Sequence, residues 1–525
     1  MKTIELYDTT LRDGMQQEGI SFSVQDKLKI VAKLDDLGIH YIEGGWPSAN
    51  PKDSEFFETM QRVKLAHSVL CAFGSTRHQN SQVESDPTIA ALLEAKVFTV
   101  TLVGKSSELQ VTRVLEAPLE ENLRMISDSV RYLKSKGLSV FFDAEHFFDG
   151  YNVNDTYSLK TLEAAAEAGA DCLVLCDTNG GALPHDIITA VKDVIKSTST
   201  PVGIHAHNDA EMAVANTIAA VRAGATHVQG TLNGYGERCG NANLCSVIPN
   251  LQIKMGISCL AKEKVAKLTE VSHFASELAN ITPNLRQPYT GINAFTHKAG
   301  LHASGVTKWS DSYQHIDPDL VGNQSRILVS ELSGASSVIH KVKELGLDAK
   351  LGRKEASNIL DQIKFMESRG FQYEGAEASF ELLVRRTQLN YQRPFELVDF
   401  MVLVENLRRS SVYEEEMLSE ATVKIKVGSE VIHTAAEGNG PVNALDRAMR
   451  KALVASYPKI EQVELIDYKV RILEESAGTE AQVRVLIESS DGKEIWRTVG
   501  SSTNIIAASW LALADSLEYW LLRNY

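Results

Sequence analysis

Residues 3–46 read TIELYDTTLRDGMQQEGISFSVQDKLKIVAKLDDLGIHYIEGGW. A short apolar and β-branched run, Thr3–Thr10, gives way to an amphipathic stretch, Ser23–Leu37, and a second run follows at Tyr41–Trp46. Within the amphipathic stretch Val24, Leu28, Val31, Leu34 and Leu37 recur at the spacing that places apolar side chains on one helix face. This predicts strand, helix, strand. The same alternation continues to about residue 255, with further runs at His67–Phe73, Val97–Val103, Ser139–His146, Cys172–Thr178, Pro201–Asn208 and Thr226–Leu232. Eight strand–helix units in about 250 residues match a closed (β/α)₈ TIM barrel. A doubly wound open sheet also alternates strand and helix, but eight regular units favour closure.

Residues 261–370 read as helical linker subdomains. Near residue 371 the pattern changes to alternating strands at Phe395–Glu405, Ala421–Val427, Val431–Ala436, Val463–Ile472, Ala481–Glu488 and Ile495–Val499, with helical stretches at Gly440–Ser456 and Thr503–Leu521. Glu430–Thr434 (EVIHT) precedes the first helix and Glu494–Thr498 (EIWRT) the second, 64 residues later, and Asn443-Ala444 falls opposite Ala507-Ala508. The expectation is an α/β chain in three parts. Residues 1–260 form the barrel, 261–370 the linker, and 371–525 an α+β domain built from a duplicated β-β-β-α unit.

The 525 residues are 44% hydrophobic and 23% charged, a globular composition. Lys+Arg 53 against Asp+Glu 68 leaves a net charge of −15, so no nucleic-acid partner is expected. No apolar run approaches the roughly 18 residues of a membrane span, so no membrane partner is expected either. The first residues, Met1–Asp8, lack the basic head and apolar core of a signal peptide. Six cysteines (Cys71, Cys172, Cys176, Cys239, Cys245, Cys259) read as reduced thiols, which suits a cytoplasmic protein. Cys172 and Cys176, four apart in one strand, read as core and not as a redox pair.

In a barrel, chemistry gathers where the strands end. His205 and His207, two apart on a strand, share a face. Closure sets strand 1 beside strand 8 and strand 8 beside strand 7, which draws Asp13 and Asn241 toward the two imidazoles. Such a sulfur-free N/O set suits Mg²⁺, Mn²⁺, Co²⁺ or Zn²⁺ and does not select among them. Arg12 suits either an ion pair with Glu43 or a substrate carboxylate or carbonyl oxygen. Glu145 reads as a general base, as the holder of a neighbouring base, or as a rim charge. Thr178 suits a substrate carboxylate. Outside the barrel, Phe295–Gly305 gathers His297, Lys298 and His302 among small residues.

Asp8–Gly14 (DTTLRDG), His205–Asn208 (HAHN), Gly236–Asn241 (GERCGN) and Phe295–Gly305 together resemble the acetyl-CoA-dependent 2-oxo-acid condensing enzymes, the 2-isopropylmalate synthase / homocitrate synthase family, over nearly the whole chain. Ile42–Pro47 (IEGGWP), Phe73–Arg77 (FGSTR) and Tyr313–Gly322 (YQHIDPDLVG) look most like its pyruvate-using branch. The isopropylmalate branch usually has Phe where this chain has Trp46 and Glu where it has Met15. The resemblance implies a divalent metal, Mn²⁺ or Mg²⁺ before Zn²⁺ or Co²⁺, on Asp13, His205 and His207, with Asn241 at or near a fourth position. It implies acetyl-CoA as co-substrate, Arg12 stabilising the alkoxide, and Arg12, Thr178, Gln16 and Glu43 binding substrate. Glu145 and His302 would remove the acetyl proton, with Tyr313 nearby and His302 reaching the partner's barrel in a homodimer.

Trp46, Phe73 and Leu102 are expected to close the side-chain pocket. The C-terminal domain is expected to dimerise and to bind isoleucine as a feedback ligand at the helix starts after Gly438–Pro441 and Ser501–Asn504. Isopropylmalate or homocitrate formation differs only in the 2-oxo acid. A non-catalytic amino-acid sensor is a further alternative, against which the intact catalytic set argues.

Overall fold

The computed structural model describes residues 3–47, 49–298, 300–330, 333–347, 352–388, 390–405, 418–473, 478 and 480–525. They form two compact units, residues 1–295 with 316–324, and 296–315 with 325–525.

The first unit holds eight parallel strands in a closed barrel: β1 (Glu5–Asp8), β2 (Tyr41–Glu43), β3 (Val69–Ser75), β4 (Thr99–Lys105), β5 (Ser139–Glu145), β6 (Cys172–Asp177), β7 (Val202–Ala206) and β8 (His227–Gly230). Closure is direct, with Glu5 opposite His227 and Asp8 opposite Gly230. The first helix, Val24–Leu37, starts in a reciprocal cap between Ser23 and Asp26 and stops at Gly38, whose φ of 94° is left-handed.

Each strand is buried on both faces. Outward side chains such as Leu6, Ile42, Val100, Leu102 and Phe142 meet the helices. Inward ones, Tyr7, Cys71, Phe141, Cys172, Val174 and Cys176, fill the barrel. Cys172 and Cys176 are therefore core, and burial pushes both thiols up. Leu102 departs from expectation. On β4 the inward position is Thr101, which meets the Tyr7 hydroxyl, so its neighbour Leu102 faces the helices and cannot line the mouth. Phe73 has the inward parity of Cys71 and does reach it.

In the second unit Thr296–His297 (β9) pairs in parallel with Arg326–Ile327 (β10). Helices Ala335–Glu344, Arg353–Ser368 and Glu377–Arg386 share a core around Val338, Ile359, Ile363 and Phe380. Two antiparallel three-stranded sheets follow. The first is β11 (Glu396–Glu405), β12 (Leu418–Val427) and β13 (Glu430–Gly438), then helix Pro441–Leu453; the second is β14 (Glu464–Ile472), β15 (Val483–Ser490) and β16 (Ile495–Ser502), then helix Ile505–Asn524. The β-β-β-α unit is thus duplicated down to its irregularities: the register shifts between Leu397 and Asp399 in β11 and between Leu465 and Asp467 in β14.

Two expectations change here. Helix Ile505–Asn524 is long and apolar enough to cross a membrane, contrary to the reading of the sequence. Its Trp510, Leu513, Leu517, Trp520 and Leu521 are buried with Val485, Ile487 and Trp496 of its own sheet, the pattern of a core helix. The two helix starts also differ. Asn504 accepts from the N–H groups of Ile506 and Ala507, so these donors are already used, whereas Gly440 makes no side-chain cap.

Candidate metal and substrate site

The polar residues at the barrel mouth converge. From the loop after β1, Asp13 Oδ2 lies 3.5 Å from His205 Nε2 and 3.9 Å from His207 Nε2. The two Nε2 atoms face each other at 3.3 Å, and all three side chains are buried. At that distance one ring can donate N–H to the other, or both lone pairs and the carboxylate can share a cation; three buried N/O donors this close are a set that fits a divalent metal. Two further buried atoms, Asn241 Oδ1 and His207 Nδ1, have no hydrogen-bond partner among the described residues. Asn241 Nδ2 donates to Asp13 Oδ1 at 3.0 Å, so the residue stands beside the set as expected. Two glycines permit that placement: a Cβ on Gly236 would strike Asn241, and one on Gly240 would strike the Gly234 carbonyl.

Charges respond to this crowding. Burial pulls Asp13 up, but Arg12 and the two histidines outweigh it and hold the carboxyl well below the usual range. Burial and the neighbouring His205 bring His207 down to about 4. His207 therefore stays neutral near pH 7, the form that ligates.

Of the two readings of Arg12, the ion pair with Glu43 is the one the geometry contains. Nε donates to Glu43 Oε1 at 2.5 Å and Nη1 to Asp13 Oδ2 at 3.2 Å. Its guanidinium carbon sits 3.8 Å from the Phe73 ring centroid, and Phe73 packs edge-on against Trp46. Glu43 is fully buried and also accepts from Tyr7 Oη at 2.8 Å. Burial opposes the charge on Arg12, but Glu43 and Asp13 outweigh it and raise its pKa.

The other predicted residues fall as follows. Glu145 ends β5 and pairs with Lys105 Nζ at 2.5 Å. Thr178 Oγ1 accepts from the His146 N–H at 2.8 Å, and its carbonyl accepts from Arg238. Gln16 is exposed on the short turn Gly14–Gln16. In the second unit, His302 and Tyr313 are exposed and stack with ring centroids 4.2 Å apart. Ala299, within the Phe295–Gly305 cluster, lies outside the described residues.

Sequence reasoning missed Gln229 and Tyr7 and gave Asp143 no role. His205 Nδ1 is 2.9 Å from Gln229 Oε1, and Gln229 Nε2 donates to Asp143 Oδ1 at 3.0 Å, all buried. Burial lifts Asp143 to about 7. Strand parity alone does not single out Tyr7 or Gln229, because both neighbours of each are buried as well.

Residues 3–275 match the HMGL-like family, 289–370 the homocitrate synthase post-HMGL domain-like family, and 374–521 the LeuA allosteric (dimerisation) domain. The (R)-citramalate synthase of Geobacter sulfurreducens is 50% identical over 524 residues, covering 100% of this chain and 98% of that one. That of Aquifex aeolicus is 52% identical over 522 residues, covering 99% and 98%. The 2-isopropylmalate synthase of Methanocaldococcus jannaschii is 30% identical over 526 residues, covering 99% and 95%.

Proposed function

The chain belongs to the HMGL-like family, and from that premise we propose that it condenses acetyl-CoA with pyruvate and hydrolyses the thioester to give (R)-citramalate and free CoA. The observation that carries this is full-length identity of 47–52% to several (R)-citramalate synthases. The intact cluster of Asp13, His205 and His207 beside Arg12 agrees with it.

Asp13, His205 and His207, with Asn241 at or near a fourth position, would hold a divalent cation, Mn²⁺ or Mg²⁺ foremost, which when bound supplies Lewis-acid polarisation of the ketone. The remaining chemistry falls to side chains. Arg12, fixed by Glu43 and Asp13, presents positive charge to the alkoxide that develops at the keto oxygen. Thr178 anchors the pyruvate carboxylate, since its oxygen already accepts from His146 and its hydrogen remains to donate. Gln16 lies on the turn after β1 for substrate contact, and Glu43 acts through Arg12. Lys105, paired with Glu145, orients its carboxylate. Glu145 and His302 take the proton from the acetyl methyl group, with Tyr313 stacked on His302. The carbanion then forms a C–C bond to the keto carbon, and water cleaves the thioester to a carboxylate and a thiol. His302 serves the partner's barrel in a homodimer.

Residues 1–260 thus carry the metal and the 2-oxo acid, 261–370 carry His302, and 371–525 dimerise and bind isoleucine. Support for an amino-acid ligand comes from a cavity of about 510 Å³ between helix Pro441–Leu453 and β14, lined by Val442, Asn443, Asp446, Arg450, Leu465 and Tyr468. Asn443 Oδ1 is buried there without a partner among the described residues.

The test is thiol release from acetyl-CoA with pyruvate, 2-oxobutyrate, 2-oxoisovalerate and 2-oxoglutarate. Pyruvate should give the highest kcat/KM; a higher value with 2-oxoisovalerate would assign isopropylmalate formation instead. Calorimetry with isoleucine, leucine and valine tests the C-terminal reading, and no heat from any of them leaves dimerisation alone.

A further inference from the structure

The two histidines of the cluster are not held alike. His207 Nδ1 is buried with no partner among the described residues, whereas His205 Nδ1 meets Gln229 Oε1 at 2.9 Å. Gln229 comes from β8 and has no freedom of its own. Its other end, Nε2, donates to Asp143 Oδ1 on β5, across the barrel, at 3.0 Å. Gln229 is fully buried and Asp143 and His205 nearly so, so no water competes for these bonds. Against an ionised Asp143, reversing the Gln229 amide would set an amide oxygen against a carboxylate oxygen, so Asp143 as a carboxylate fixes which end of Gln229 faces His205.

We propose that Gln229, oriented by Asp143, is a positioning residue that holds His205 in its Nδ1–H tautomer and so reserves Nε2 for the metal. The inference rests on the metal reading above. With Gln229 accepting from Nδ1–H, the lone pair of His205 lies on Nε2, the atom that faces Asp13 and His207. Without that acceptor either nitrogen can carry the hydrogen and the ring can turn. Loss of a group that orients a metal-bound histidine typically costs about 10–100-fold in metal affinity.

The experiment follows Mn²⁺ binding to the chelator-stripped full-length protein by electron paramagnetic resonance, with ¹⁵N-histidine NMR of the same metal-free protein. Wild type should bind one Mn²⁺ per chain, with the His205 hydrogen on Nδ1. Gln229→Met should weaken Mn²⁺ binding about 10–100-fold and lose the tautomer preference. Asp143→Asn keeps an acceptor for Gln229 Nε2 and should stay within a few-fold of wild type, whereas Asp143→Ala should fall between the two. Wild-type affinity in a folded Gln229→Met protein overturns the proposal while leaving the metal reading intact. So does a metal-free wild type with the hydrogen on Nε2, a result that needs no variant to fold. A wild type that binds no Mn²⁺ overturns both.

Discussion

Thr434 and Thr498 occupy the same place in the two C-terminal β-β-β-α units, and each hydroxyl donates to a carbonyl of the following helix, Ala448 and Ala512, at 2.7 Å. The barrel strands are also copies of one motif, yet their ends carry different groups: Asp8, Glu43, Glu145, Asp177 and the His205/His207 pair. In the sheets, repetition keeps even a hydrogen bond. In the barrel it keeps the backbone and lets the tips diverge. Where the copies agree, the residue serves the fold; where the tips differ, they include His205 and His207 of the candidate metal cluster.

The sharpest way to break this comparison is at a tip. Asp13→Ala or His207→Ala should lower kcat/KM on the order of 10³-fold or more, with circular dichroism unchanged, because each removes a proposed metal ligand and no core packing. Unaltered turnover in a protein shown to be metal-free would remove the distinction. The second test spans the two units. Asp13→Ala and His302→Ala proteins, each inactive alone, should recover about a quarter of wild-type activity once their subunits exchange in a two-fold dimer. No recovery, with mixed dimers seen by native mass spectrometry, would confine His302 to its own chain.

A third test reads pH dependence at the opposite end of the barrel. Burial among Tyr7, Tyr41 and Phe141 holds the His227 pKa below its usual 6.5, with Glu5 the facing charge. The unfolded chain gains this proton as pH falls through about 6.5 and the folded chain does not. Stability is therefore full above that pH and declines below it, at up to about 1.4 kcal/mol per pH unit. Urea unfolding from pH 7 to 5 should show the decline, and His227→Gln should make it shallower by that one proton's share, His207 retaining its own; an equal slope in the variant would place the effect elsewhere. Glu5, lowered by the facing His227, adds its own loss only at lower pH, below about 4.5. The smallest effects lie in the sheets. Thr434→Val and Thr498→Val should each cost about 0.5–1.5 kcal/mol, and similarly. A large difference between the two would show that the copies have parted in energy though not in geometry.

The order of strands, the 64-residue echo and the His205/Asp13 convergence were legible because each rests on spacing along the chain. Leu102 was misplaced for a physical reason. A strand buried on both faces reads as one apolar run, so its periodicity cannot say which side faces the barrel axis. Gln229 was hidden for the same reason, as a lone amide in such a run whose partners lie on β5 and β7. Asn504 looked like an open anion seat, and only the folded turn shows the seat filled by its own side chain.

The bond from Asn241 to Asp13 spans 228 residues of chain. A ribosome adding about 5–20 residues each second leaves Asp13 waiting roughly 10–45 seconds for its neighbour. During that wait β1 has no β8 beside it, and Arg12 has Glu43 but neither imidazole. A chain halted before residue 205 carries Asp13 and Arg12 but neither histidine of the cluster. In the making of this protein, the cluster of Asp13, His205 and His207 is a late assembly, completed as the last strands shut the ring.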